Sequence, residues 1–218
     1  MFRMVLLTQW KWSRIVVCAA TIAAFAVPII SVQAFGDPDG GWIDGRRALQ
    51  VMRMFGGWYA MLAAAVGLAV AVTAWSADHR GRHVYALSLP VPRWRLVLLR
   101  FGAGGTLLAL PVIALWIGAF IATSSVEIPP GLQAFPTSLA IRFALASLVA
   151  FGIFFAISAG TARTAGWVLG AIGAVFLLAA LGETVGLPAR VMDEIHTLIF
   201  SWPIVLEIFN GSWMLIDV

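Results

Sequence analysis

Charge is scarce in this chain. Only 11% of its 218 residues are Asp, Glu, Lys or Arg, against about 25% in soluble domains. Lysine occurs once, at Lys11, and cysteine once, at Cys18. A lone cysteine excludes an internal disulfide framework. With no G-x-x-x-x-G-K-[ST], and no lysine beyond Lys11, a phosphate loop for nucleotide is excluded. H-E-x-x-H and G-x-S-x-G are also missing, which removes the motifs of zinc peptidases and serine hydrolases. Of the three histidines, His79 and His83 lie in the charged stretch and His196 stands near a span end, so none lies within a span. Haem held between spans would need them there.

Apolar runs take up the rest. The chain is 61% hydrophobic with a mean hydropathy of +0.96. A helical span needs about 20 apolar residues. The pattern predicts an all-α polytopic membrane protein, a single transmembrane domain over 1–218 with five to six transmembrane helices. The net charge of +4 is no nucleic-acid signature, because the arginines sit beside span ends.

Residues 1–14, MFRMVLLTQWKWSR, carry Arg3, Lys11 and Arg14 with Trp10 and Trp12. They predict an amphipathic helix on the membrane surface. The run Ile15–Ala34 follows as a first span. Its tail, Val32-Gln33-Ala34, has the form of a signal-peptidase site, but the run is too long for a signal core of about 7–15 residues. Residues 35–56 open with the turn cluster FGDPDGG. Asp37, Asp39 and Asp44 fail as a calcium loop, since Gly41 sits where a third ligand belongs. An outer loop and short helix are expected instead. A second span covers about 57–77, with Trp58 and Trp75 at its two interfaces. A third covers about 96–122, with a kink at Pro111. A fourth covers about 138–160. A fifth covers about 165–181, where Gly166, Gly170 and Gly173 form a small-residue face for close packing within the chain. Residues 182–218 predict a re-entrant pair or a weak last span, because Pro203, Glu207, Asn210 and Gly211 interrupt the apolar run 195–216.

Ionisable residues at membrane depth are candidates for function. Arg142 falls near the outer end of the fourth span, where it can snorkel. Glu207 lies in the interrupted carboxyl-terminal run and could meet it. An interfacial Glu beside a helix break is the plainer reading. His79 and His83 are four apart and could share a metal with Asp78, but Gly81 lies between them and no third strong ligand follows. A solvated basic turn is favoured over a membrane enzyme with an inner-face metal site.

The stretch Asp78–Arg100, DHRGRHVYALSLPVPRWRLVLLR, is the most strongly charged interval. It carries Arg80, Arg82, Arg93, Arg95 and Arg100 against Asp78 alone. Each Arg at a bilayer centre costs about 2.5–3.5 kcal/mol, so the stretch belongs in water. Its basic excess puts it, and the amino terminus, on the cytoplasmic side of an inner or plasma membrane. Pro90 and Pro92 then mark a stop and a restart before the next helix.

Asp78 and Gly81, ahead of Leu87-Ser88-x-Pro90-Val91-x-Arg93, resemble the acid–Gly–Leu-Ser-x-Pro-Val-x-Arg pattern of the permease subunits of type-2 ATP-binding-cassette exporters. The resemblance extends to the topology of about 1–182. It implies a fold of usually six spans with a re-entrant pair before the last. It implies a coupling helix over 78–95 that docks on a separate ATPase subunit, with Asp78, Gly81, Leu87, Ser88, Pro90 and Arg93 as coupling residues. Partner permeases would form a homodimer or heterodimer, and ATP and Mg would be bound by the ATPase, with no cofactor on this chain. Since SWPIVLEIFNGSW resembles the family's last pre-span region, a terminal span would be missing or reduced. A non-transporting anchor or regulatory subunit is the alternative.

Overall fold

The computed structural model describes residues 1–33, 45–80, 92–126, 128, 131–159, 166–167, 170, 173–174, 207–209 and 213–217, without the side chains of 45–48, 51, 77–80, 93 and 207. Among these the fold is helical. The long helices are α1 (Phe2–Gln33), α2 (Gly45–Arg80), α3 (Arg93–Ser124) and α4 (Pro136–Ser158). A 3-10 turn, Glu207–Phe209, and a two-residue antiparallel ladder, β1 (Gln133–Ala134) with β2 (Ile216–Asp217), complete it.

All four helices are long and apolar enough to cross a membrane. At 1.5 Å per residue, α1 and α3 reach about 48 Å and α2 about 54 Å. The hydrocarbon core is about 30 Å thick. Three helices therefore have length to spare beyond it, and the chain is an all-α, multi-pass membrane protein.

The surface helix expected over 1–14 is not a separate element. Residues 2–14 form the first turns of α1 and run without a break into the apolar part. No proline or glycine stands between Phe2 and Val27 to end the helix. Likewise the outer short helix expected before residue 57 is the start of α2. Pro28 and Pro111 both lie inside continuous helices. A proline removes one ladder bond. One turn after Pro28, the Ser31 hydroxyl donates to its carbonyl at 2.8 Å.

Small residues decide which helices touch. A Cβ placed on Gly118 would fall on the backbone of Phe25, and one on Gly104 would fall into the Phe151 ring. Gln9 also borders Gly104, so α1 and α3 run parallel, with residue 9 near 104 and residue 25 near 118. On α2, a Cβ at Gly67 would come 2.6 Å from the Ser147 carbonyl oxygen and 2.7 Å from the Phe151 amide nitrogen. Trp75 meets Phe155 further on, so α2 and α4 are also parallel. Such glycines let helix backbones approach where packing rather than water drives association.

Neighbours in the chain are antiparallel. Ser31 and Tyr59 share a hydrogen bond of 2.8 Å between α1 and α2. Since Ser31 spends its proton on Pro28, Tyr59 is the donor. Trp116 donates to Thr137 at 3.3 Å between α3 and α4. The bundle thus has a near end, with Phe2, Arg80, Arg93 and Ser158, and a far end, with Gln33, Gly45, Ser124 and Pro136.

Residues 207–209 and 213–217 sit at the far end. Leu215 accepts a 2.8 Å hydrogen bond from the Phe135 amide, and Gln133 and Ala134 pair with Asp217 and Ile216. Gly131, at φ 93°, is left-handed, which suits its turn before β1. Of the apolar run 195–216, the described residues are the 3-10 turn Glu207–Phe209 and residues 213–216, the last of which lies in β2; the rest of the run falls outside the described residues.

Candidate functional site

The near end is built where all four helices meet. Trp75 of α2 lies 5.2 Å from Phe155 of α4, and Phe101 of α3 lies 5.1 Å from Phe151 and 5.4 Å from Phe155. Offset or tilted rings at such separations attract through their quadrupoles. The Arg100 guanidinium sits over the Trp75 ring, 5.0 Å from its centre. Trp75 is buried in the bundle, whereas Trp58 is exposed to 62%. The pair expected to mark two interfaces therefore includes one core residue.

Several polar atoms in this bundle are buried without a hydrogen-bond partner: both amide atoms of Gln9, the Trp75 indole nitrogen and the Ser147 hydroxyl. An unsatisfied buried group costs about 1–3 kcal/mol. The Gln9 amide nitrogen faces Gly104, 3.1 Å from where a Cβ on that residue would sit.

The helices leaving this end carry the sequence motif. Asp78 lies on the last turn of α2 and Arg93 is the first residue of α3. Gly81, Leu87, Ser88 and Pro90, with His83, lie outside the described residues. Beyond Arg93, Trp94 is exposed to 60%, and the Arg95 guanidinium lies 5.2 Å from its ring centre. No group of three metal-binding side chains occurs among the described residues.

The far end holds the second site. Arg142 donates through Nε to the Ile208 carbonyl at 3.3 Å and lies over the Trp213 ring at 5.0 Å. Glu207 precedes Ile208 in the 3-10 turn, and its side chain lies outside what is described. Trp213 is 2% exposed and packs against Gly56 of α2. Its indole donates to the Phe209 carbonyl at 3.3 Å. Sequence reasoning singled out Arg142 but missed Trp213, whose only signal was an aromatic in an interrupted apolar run. Among the described residues, a Cβ on Gly166, Gly170 or Gly173 meets nothing within 4 Å.

Four apolar helices and two arginine–tryptophan ends define a helical multi-pass membrane protein. Comparison with protein-family models, curated proteins and solved structures finds no match.

Proposed function

We propose that this chain is the membrane half of an ATP-driven exporter of the type-2 class, working as a dimer of permeases with a separate ATPase. The carrying observation is that Asp78 closes one long bundle helix and Arg93 opens the next, at one end of the fold. The motif of the sequence thus hangs between two helices whose near ends are clamped by Arg100 on Trp75. An element tied to both helices can pass a push from a docked partner to both at once. In this reading the near end faces the cytoplasm, and Gly81, Leu87, Ser88 and Pro90 form the docking element. ATP and Mg are bound and consumed by the partner. Closure of the ATPase pair changes the relative energy of two arrangements of the bundle, which a partner achieves only through differential contacts.

The test is gentle purification from native membranes. A separate ATPase should co-purify, and the isolated chain should hydrolyse no ATP. Hydrolysis by the chain itself, free of contaminants, rules the proposal out.

A further inference from the structure

We propose that the exposed face of α1 around Lys11 and Arg14 binds the phosphate of an anionic phospholipid in the leaflet nearest the amino terminus. Arg3, Lys11, Arg14, Cys18 and Ile22 recur at helical spacing along one face of α1, and all are exposed. The opposite face, with Gln9, Ser13, Val17 and Ala24, is buried in the bundle. The exposed face is divided along its length. Cations occupy the first part, and Ile15 and Ile22, exposed to 77% and 69%, the second. From Ile15 to Gln33 the helix rises about 28 Å, close to the hydrocarbon thickness. Arg14 therefore falls at the head-group boundary, with apolar wall above it.

Lys11 and Arg14 stand three residues apart, so their Cβ atoms are neighbours on the helix surface. Two cations so placed repel each other. Nothing protein-borne relieves them among the described residues: α1 and α3 contain no acid, and the described side chains of α2 include none. α3, parallel to α1, brings Arg95 to the same end and raises the local potential further. A phosphodiester lying between Lys11 and Arg14 neutralises the repulsion, while its acyl chain covers Ile15 and Ile22. A zwitterionic lipid brings its own ammonium group to the same place and gains less. Basic clusters beside membrane helices select anionic head groups on these grounds.

Cys18, the chain's single cysteine and exposed, stands one turn from Arg14 and is a ready reporter. The protein is labelled there with a fluorophore and reconstituted in phosphatidylcholine vesicles. Brominated acyl chains are carried either on added phosphatidylglycerol or on the same amount of added phosphatidylcholine. The expected result is several-fold stronger quenching by the brominated phosphatidylglycerol. Lys11→Gln with Arg14→Gln should abolish that preference. Arg3→Gln with Arg95→Gln removes the same charge from the surroundings of the pair, and should weaken the preference without abolishing it. Equal quenching by the two lipids in the unmodified protein overturns the proposal. So does equal loss in both double variants, which would mean diffuse attraction rather than a site. Loss of the preference on adding inorganic phosphate, but not chloride at matched ionic strength, would assign the pair to free phosphate and overturn the lipid assignment.

Discussion

The Arg142 guanidinium lies 5.0 Å from the centre of the Trp213 ring, and its Nε reaches back to the Ile208 carbonyl. One arginine of α4 thus holds a turn and an aromatic from more than 60 residues further along the chain. Phe135 and Leu215 extend the same attachment through the backbone. Trp213→Ala removes a fully buried ring, a change that costs about 3–5 kcal/mol in cores. The expected outcome is detachment of the far-end segment. Hydrogen exchange at the Phe135 amide should speed up, while amides of α4 beside Phe151 stay protected. Unchanged protection at Phe135 would show that the ring does not hold the segment.

Gly67 admits no side chain, because the α4 backbone occupies the space a Cβ would need. Gly67→Leu should separate α2 from α4 and destabilise the protein by at least the roughly 1–3 kcal/mol typical of overpacking. Gly57, with open space around its Cβ position, is the control. Thermal unfolding in detergent should distinguish Gly67→Leu from Gly57→Leu by many degrees. Equal midpoints would contradict the close α2–α4 approach.

Arg100→Met keeps the aliphatic stem and loses the charge over Trp75. The cation–π contact alone is worth about 0.5–2 kcal/mol, more where water is excluded. Unfolding should shift down modestly, and the Trp75 fluorescence of a Trp75-only variant should change. An unaltered spectrum would mean that the ring does not sense the guanidinium.

The orientation of the bundle is tested by cysteine labelling in a Cys18→Ser background. A cysteine at position 85 should be reached by an impermeant reagent only from the cytoplasmic side. One at position 133, beside β2 at the far end, should be reached from the opposite side. Labelling of position 85 from outside intact cells sinks the proposed topology.

Leu87→Asp tests the proposed coupling stretch. A leucine buried at an interface contributes roughly 1.5–3 kcal/mol, and an aspartate in its place adds an unpaired charge. Capture of the ATPase, and stimulation of its hydrolysis, should fall. Insertion should survive, since the residue lies in a charged interval outside the apolar runs. Normal capture by a well-expressed variant refutes the docking role of Leu87.

The spans were legible because apolar length is a coarse signal that a bilayer reads in the same way. Two of the predicted runs fall within α2 and α3, two more end one or two residues past α1 and α4, and each helix starts ahead of its apolar run. Extension was not legible, since Arg3 or Arg46 in a helix looks, by hydropathy, like a residue outside one. The division of residues 1–14 from the first span failed for the same reason. Helix neighbours were hidden too. Gly67, Gly104 and Gly118 differ from Gly57 and Gly105 only in what faces them. Arg142 stood out as an ionisable residue in an apolar run. Its partner did not, because a contact across this distance in sequence leaves no local pattern. Asp78 and Arg93, the ends of the motif, fall on the two helices that flank it.

The up-and-down path of α1 to α4 returns the chain at Ser158 to the end where it began, yet Ile208 and Ile216 lie at the other end. In the proposed topology, a membrane around this bundle separates Phe2 from Ile216. Tags fused beside these two residues would report from different compartments: a protease shaved over one surface would remove one tag and leave its counterpart intact.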